Sequence, residues 1–333
     1  MVIVQIMRCH VSTIWECVQR ETGRSYCVKV VDRRRFGTRE DEESTLREIA
    51  MLSSLQPYSS PHLVSLIQVL EDAKSFYIIT QLAPHGNLLT KIHQQRQQQS
   101  HQWLWSEQDV RCLTKSILQG VQTLHDWKIC HHDLQPENIL LLANHQIQIC
   151  DFGHAQYLDG DSYVCGCKGT KRYGNVSYAS PEILQGKPHG TSSDMWSVGV
   201  MVYYCLCGQL PFEDDNRRVV RGKIVHADFD FLGNHWAFVS RPAKQFLASL
   251  LHVDPQVRLT AREALHHPWL ASTTPPLLVP KKRSRGSLLH RIWKKLGPVK
   301  ELESSTDPTL PSSLSTLDCH DESKRRIAVT YAY

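Results

Sequence analysis

No run of eighteen apolar residues occurs in the 333 positions of this chain; about that many are needed for a membrane-spanning helix. The start also lacks an apolar core with a flanking cleavage site, so secretion is not expected. Paired cysteine patterns are missing as well. The eleven cysteines are an odd number scattered through apolar segments. Cys165 and Cys167 sit too close to pair easily, and no Cys-x-x-Cys spacing recurs. Reduced, buried thiols in a cytoplasmic or nuclear protein fit this pattern better than a disulfide framework or a zinc site. An evenly basic surface is absent too. The net charge is +5, yet residues 281–300 alone carry eight Lys and Arg and no acid, which leaves the remainder at 5 − 8 = −3. A body that would wrap nucleic acid is therefore not expected.

What the chain does have is a 41% apolar composition, enough to fill one large domain or two lobes, followed by a tail. Its centre is the stretch His131-His132-Asp133-Leu134-Gln135-Pro136-Glu137-Asn138-Ile139-Leu140. An Asp and an Asn five positions apart suit two jobs on one loop. Asp133 can orient a substrate hydroxyl and accept its proton, and the amide oxygen of Asn138 can hold a metal ion. The apolar run 139–142 and the alternating run 146–150 predict a short hairpin. Such a hairpin would fold Asp151, in Asp151-Phe152-Gly153, back beside Asn138.

These motifs resemble the H-R-D-x-x-x-x-N and D-F-G of eukaryotic protein kinases, with one departure at His132. The resemblance covers about residues 10–270, and the details from 240 to 270 are closest to the calcium/calmodulin-dependent group. It implies an α+β, bilobal fold with a small antiparallel-sheet lobe over about 1–82 and a larger, mainly helical lobe over about 83–270. It implies an ATP- and Mg2+-dependent transfer of the γ-phosphoryl group to Ser or Thr of a protein substrate. The strand Tyr26–Val30 is similar to V-A-I-K, so Lys29 would hold the α- and β-phosphates. Glu48, on an amphipathic helix predicted over 39–55 with Leu46, Ile49, Ala50, Leu52 and Leu55 on one side, would pair with Lys29. Ile14, Cys27, the gatekeeper Thr80, the hinge Leu82 and Leu140 would line the nucleotide site. Asn138 and Asp151 would hold Mg2+. Strands are expected at 2–6, 14–18, 61–64 and 76–80, and a helix capped by Ser106 over 107–125. A Gln- and His-rich run at 93–102 reads as a loop or frayed helix end.

Further along, the segment from Asp151 to Glu182 resembles an activation segment, with Ser162, Thr170 and Ser177 as candidate phosphosites by residue type. An apolar helix is expected from Ser193 through Leu206, and its Asp194 would brace the catalytic loop. Arg258 is expected to pair with Glu182, and His267-Pro268-Trp269-Leu270 resembles the last helix of the domain.

Several positions depart from the family pattern. Met7, Cys9 and Ser12 occupy the three places of a glycine-rich loop, whose glycines let backbone N–H groups approach phosphate. Either a different start replaces the real loop or nucleotide binding is reduced. His132 replaces an arginine that in many relatives receives an activation-loop phosphate, and a neutral imidazole is a poor substitute. Gln135 replaces a lysine, and Asn175 a Thr or Ser; their two amides are expected to bond one another. Asn87 stands where an acid is usual. Lys29, Glu48, Asp133, Asn138 and Asp151 all remain, which favours a working kinase. The alternative is a catalytically impaired pseudokinase acting as a signalling scaffold, and a membrane-anchored adaptor rests on the tail alone.

In that tail, 271–284 reads as a linker and 298–333 as disordered. Between them, 285–297 reads as a basic amphipathic helix ended by Gly297-Pro298. Leu288, Leu289, Ile292, Trp293 and Leu296 form its apolar face. Residues 285–296 suit calmodulin or a membrane surface; docking on the kinase domain itself and a nuclear import signal are the other readings.

Overall fold

In the computed structural model, residues 3–58, 60–97, 105–142, 146–158 and 175–271 are described. The β-branched, alternating segment Ser25–Asp32 forms β3, the middle of a five-stranded antiparallel sheet. The strands β1 (Ile3–Arg8), β2 (Ser12–Val18), β4 (Leu66–Glu71) and β5 (Ser75–Gln81) complete it in the order β1-β2-β3-β5-β4. Register pairs Ile14 with Lys29, Lys29 with Ile78, and Cys27 with Thr80. Because strand side chains alternate, these residues share one face of the sheet.

Helix α1 (Arg39–Leu55) starts at a capping box in which Asp41 Oδ2 accepts from the Thr38 N–H at 2.9 Å. Three acids in its first turn suit the positive end of the helix dipole. Its buried stripe is Thr45, Glu48, Ile49, Met51, Leu52 and Leu55. Leu46, expected on that face, is 45% exposed, because it lies about 100° beyond Thr45 around the helix axis. Ala50 is only half-buried.

The strand expected at 61–64 is not one. His62, Leu63 and Val64 instead bond the end of another hairpin: the Ile149 N–H donates to the His62 carbonyl at 2.8 Å, and the Val64 N–H to the Ile149 carbonyl at 2.9 Å. The segment is apolar because Leu63 and Val64 are buried at the join with the larger lobe, and the sheet's own strand follows at β4.

In that larger lobe, α2 (Leu88–Gln97) absorbs the first half of the Gln- and His-rich run. Helix α3 (Glu107–Asp126) is capped by Ser106, whose Oγ accepts from the Asp109 N–H at 3.1 Å. The short strand β6 (Ile129–Cys130) follows, and β7 (Ile139–Leu141) with β8 (Ile147–Ile149) forms the expected hairpin. Strand β9 (Gln156–Tyr157) pairs with β6. After the one-turn α4 (Pro181–Leu184) comes α5 (Thr191–Cys207), buried without interruption from Ser193 to Cys207. Helix α7 (Arg241–Leu250) packs on it, α6 (Arg217–His226) packs on α4, and α8 (Ala261–Leu265) and α9 (Pro268–Ala271) pack on α3. Gly199 permits the close approach of α5 and α7, since a Cβ there would lie 2.9 Å from that of Leu250. Ala271, assigned from the sequence to a linker, closes α9. The candidate phosphosites Ser162 and Thr170, the rest of the linker, the tail helix and the tail end lie outside the described residues.

Arg258 fastens the lobe internally. Its guanidinium donates to both oxygens of Glu182 at 2.7 and 3.1 Å and to the Ser192 carbonyl at 2.6 Å. Both side chains are buried, so removing one partner strands the other charge. Glu182→Ala should lower unfolding stability by about 3–5 kcal/mol in urea titration. A loss below about 1 kcal/mol would show that water reaches the pair.

Candidate active site

Lys29 projects from β3 beneath α1. Its Nζ donates to Glu48 Oε2 at 2.7 Å and Oε1 at 3.0 Å, and lies 3.4 Å from Asp151 Oδ1. Burial by itself would lower the Lys29 pKa, but Asp151 and Glu48 outweigh it and hold the ammonium above its ordinary value. The same ammonium keeps Asp151 ionised, below the usual carboxylate range. A fixed cation thus stands between two carboxylates, Glu48, its expected partner, and Asp151.

Asp133 lies on the loop between β6 and β7. The Gln135 amide donates to both of its oxygens at 3.1 Å, and Asn138 Nδ2 donates to Oδ2 at 3.0 Å and to the Asp133 carbonyl at 2.8 Å. Burial, reinforced by the Asp151 charge, pushes the Asp133 carboxyl up to about 7 against the pull of these amides. The carboxylate is therefore oriented and close in basicity to a general base working near neutrality. Gln135 and Asn175 do not bond each other: the Asn175 oxygen accepts from the Ser177 N–H at 3.1 Å and caps its own turn.

The β7–β8 hairpin returns the chain so that the Cys150 N–H donates to the Asn138 carbonyl at 3.0 Å, setting Asp151 beside Asn138. Asn138 spends its N–H groups on Asp133, and its Oδ1 accepts no hydrogen bond among the described residues. The Asp151 side chain is 41% exposed. A part-exposed carboxylate and, beside it, an amide oxygen of a buried residue with no partner among the described residues are hard oxygen donors of the kind that suits Mg2+.

The loop is braced from beneath. Asp194, at the start of α5, accepts from the His131 N–H through Oδ2 and from the His132 N–H through Oδ1, each at 2.9 Å. His125 Nε2 lies 2.9 Å from Oδ2. His131 Nδ1 accepts from the Asp133 N–H at 3.3 Å, so its Nε2 carries the proton and donates to the Cys150 carbonyl at 3.1 Å. Its ring packs on Phe152 at 5.2 Å. His132 adopts φ 62° and Asp151 φ 65°, left-handed conformations that persist only where the surroundings fix them. Burial pushes the His132 pKa down to about 4, and neither ring nitrogen has a hydrogen-bond partner among the described residues. It is a neutral ring set edge-on to His189 at 5.1 Å.

Ile14, Cys27, Thr80, Leu82 and Leu140 are all half-buried, with Leu140 bridged to Asn87 at the far side of the hinge. The β1–β2 turn closes on itself: the Cys9 N–H donates to the Ser12 carbonyl at 2.8 Å. Arg35 binds the Cys9 and Ser12 carbonyls. A backbone N–H that a glycine-rich loop would offer to phosphate is therefore used internally. Sequence reasoning missed His125, Ser44 and Arg47. No spacing rule relates His125 to a carboxylate 69 positions away, and the other two read as ordinary helix-surface residues.

An ion-paired strand lysine, a loop carboxylate and a pair of metal-type oxygens under a five-stranded sheet define a nucleotide-dependent phosphotransferase. The model of the protein kinase domain family matches residues 4–270, and the chain belongs to that family. It is 32% identical over 257 residues to calcium/calmodulin-dependent protein kinase type 1 of Macrobrachium nipponense, covering 76% of this chain and 69% of the relative. Over 285 residues it is 31% identical to the Caenorhabditis elegans protein of that description, covering 83% and 76%. The mouse serine/threonine-protein kinase H1 is 36% identical over 257 residues, covering 76% and 57%.

For Asp194, burial raises the pKa, but His125 and the neighbouring imidazoles reverse this and bring it to about 2. The folded value lies below the unfolded one, so this stability is complete above about pH 4 and is lost as pH falls toward 2. Asp194→Asn should cost about 2–4 kcal/mol at pH 7 and flatten that acid limb in denaturant titrations. An unchanged acid limb would show that other carboxylates carry it.

Proposed function

We infer that this chain is a protein serine/threonine kinase that transfers the γ-phosphoryl group of ATP to protein Ser or Thr hydroxyls. The observation that carries the reading is the closed Lys29–Glu48 pair at 2.7 Å with Asp151 on the same ammonium. Relatives named as calcium/calmodulin-dependent and serine/threonine kinases support it. In this reading Ile14, Cys27, Thr80, Leu82 and Leu140 flank the adenine, and Lys29 binds the α- and β-phosphates. Asn138 and Asp151 would hold Mg2+, which would supply positive charge to neutralise the phosphates. Asp133, aimed by Gln135 and Asn138, orients the substrate hydroxyl and takes its proton. The product is a phosphoprotein and ADP.

Purified protein should transfer label from γ-labelled ATP to a protein acceptor. Asp133→Asn and Asp151→Ala should each reduce this at least about 100-fold. Transfer that survives in Asp151→Ala would assign the activity to a contaminant or another site.

We propose further that residues 285–296 form the calmodulin-binding helix and that the protein works in the cytoplasm. The support is the apolar face Leu288, Leu289, Ile292, Trp293 and Leu296 opposite Arg291, Lys294 and Lys295, together with the relatives' names. The full chain should bind calmodulin only with Ca2+, and Trp293→Ala should weaken this by about tenfold or more. Equal binding with and without Ca2+ would remove the proposal, and capture by anionic vesicles instead would favour a membrane surface.

A further inference from the structure

One turn of α1 faces the Asp151-Phe152-Gly153 turn with three polar side chains. Ser44, Arg47 and Glu48 have the i, i+3, i+4 spacing that puts them on one helix face. Glu48 reaches Asp151 through Lys29. The other two converge on the far end of the same turn: Arg47 Nη1 donates to the Gly153 carbonyl at 2.6 Å, and Ser44 Oγ donates to that oxygen at 3.1 Å. The Arg47 side chain is 23% exposed, and its Nη1 lies 3.7 Å from Glu40 Oε1, about two turns back along the helix. The approach is close: a Cβ at 153 would stand 2.6 Å from Ser44 Oγ, so a larger residue there would displace that hydroxyl.

The turn being gripped needs support, because Asp151 holds a left-handed φ of 65°. The usual alternative support is poor here. His132 stands where the family pattern has a phosphate-receiving arginine, and it is a neutral ring that makes no hydrogen bond among the described residues. We propose that Arg47 and Ser44 are positioning residues, whose shared bond to the Gly153 carbonyl sets α1 and the metal-binding Asp151 in their working arrangement without an activation-segment phosphate. The proposal rests on the kinase reading above. In this arrangement Glu48 and Lys29 fix the carboxylate end of the turn, and Arg47 with Ser44 fixes the carbonyl end. Loosening the carbonyl end lets Asp151 leave its strained backbone conformation while ATP can still contact Lys29 and the apolar walls.

The test uses the full chain as wild type, Arg47→Met, Ser44→Ala, Arg47→Lys and Asp133→Asn. Arg47→Met keeps the stem and removes the donor. It should lower kcat about tenfold with KM for ATP within about twofold, and Ser44→Ala should do so more weakly. Arg47→Lys, which retains a cationic donor, should recover part of the loss. A second readout does not need turnover: the Tm increment that Mg2+ adds to ADP binding should shrink in Arg47→Met, while the increment from ADP without Mg2+ should stay. The proposal is overturned if Arg47→Met matches the wild type in kcat and in the Mg2+ increment. It is overturned equally if the ligand-free Tm, kcat and KM all deteriorate together with no recovery in Arg47→Lys, the pattern of a general packing defect. The kinase reading fails separately, by a wild type that transfers no more than Asp133→Asn, and the Mg2+ increment then still reports on the Gly153 contact.

Discussion

A carboxylate cut off from water must find its hydrogen bonds inside the protein, and Asp194 finds three. Two are backbone N–H groups of consecutive residues, His131 and His132, and the third comes from the His125 ring. Immediately after those N–H groups the backbone turns left-handed at His132. Such a turn costs of order 1–3 kcal/mol for a non-glycine residue. The buried charge meets that cost, since charge-assisted bonds are about twice as strong as neutral ones. The position of Asp133 follows, because it is the next residue. Asn138 and Gln135 then refine its aim, and the β7–β8 hairpin carries the same frame to Asp151. Helix α5 can hold the charge steady because it is buried from Ser193 to Cys207. Packing in the large lobe and geometry at the site are thus one argument.

Much of this was legible in the sequence where local pattern and tertiary role coincide. The helix over 39–55, the helix beginning at Ser106 and the hairpin before Asp151 announce themselves by period, cap and alternation. The pairs Lys29–Glu48 and Arg258–Glu182 and the bracing by Asp194 were legible only through the family resemblance. The failures share a cause. Residues 61–64 are apolar like a strand, but they are buried against the Ile149 end of a hairpin in the other lobe, and hydrophobicity does not record which partner a segment meets. Leu46 is apolar and lies next to the buried stripe, yet the helix phase turns it outward. The Gln135–Asn175 bond failed because each amide had a nearer partner: the adjacent carboxylate of Asp133 for one, its own turn for the other. Arg47 and Ser44 read as solvated because no pattern on α1 shows the carbonyl of Gly153 opposite them.

The three replacements around the catalytic loop separate two properties that one residue can combine. A lysine at position 135 would both orient Asp133 and place a cation near the transferred phosphoryl. Gln135 keeps the orientation, with its amide on both carboxylate oxygens, and gives up the charge. His132 likewise keeps the backbone turn over Asp194 and gives up the guanidinium. The β1–β2 turn keeps the hairpin and gives up the glycines, using the Cys9 N–H for itself. In each case the local backbone geometry survives; Gln135 and the β1–β2 turn give up positive potential toward the nucleotide phosphates, and His132 gives up a guanidinium that could hold an activation-segment phosphate. Preorganised charge in such sites is worth a few kcal/mol per group in the transition state. Among the described residues, Lys29 is the cation these contacts place at the site, and it is already committed to Glu48 and Asp151. On the proposed kinase reading, stabilisation of the transferring phosphoryl would fall mainly to the Asn138–Asp151 oxygen pair and the ion it would hold. This makes the placement of Asp151 the most sensitive variable in the molecule, and it explains why α1 would hold that turn at both ends.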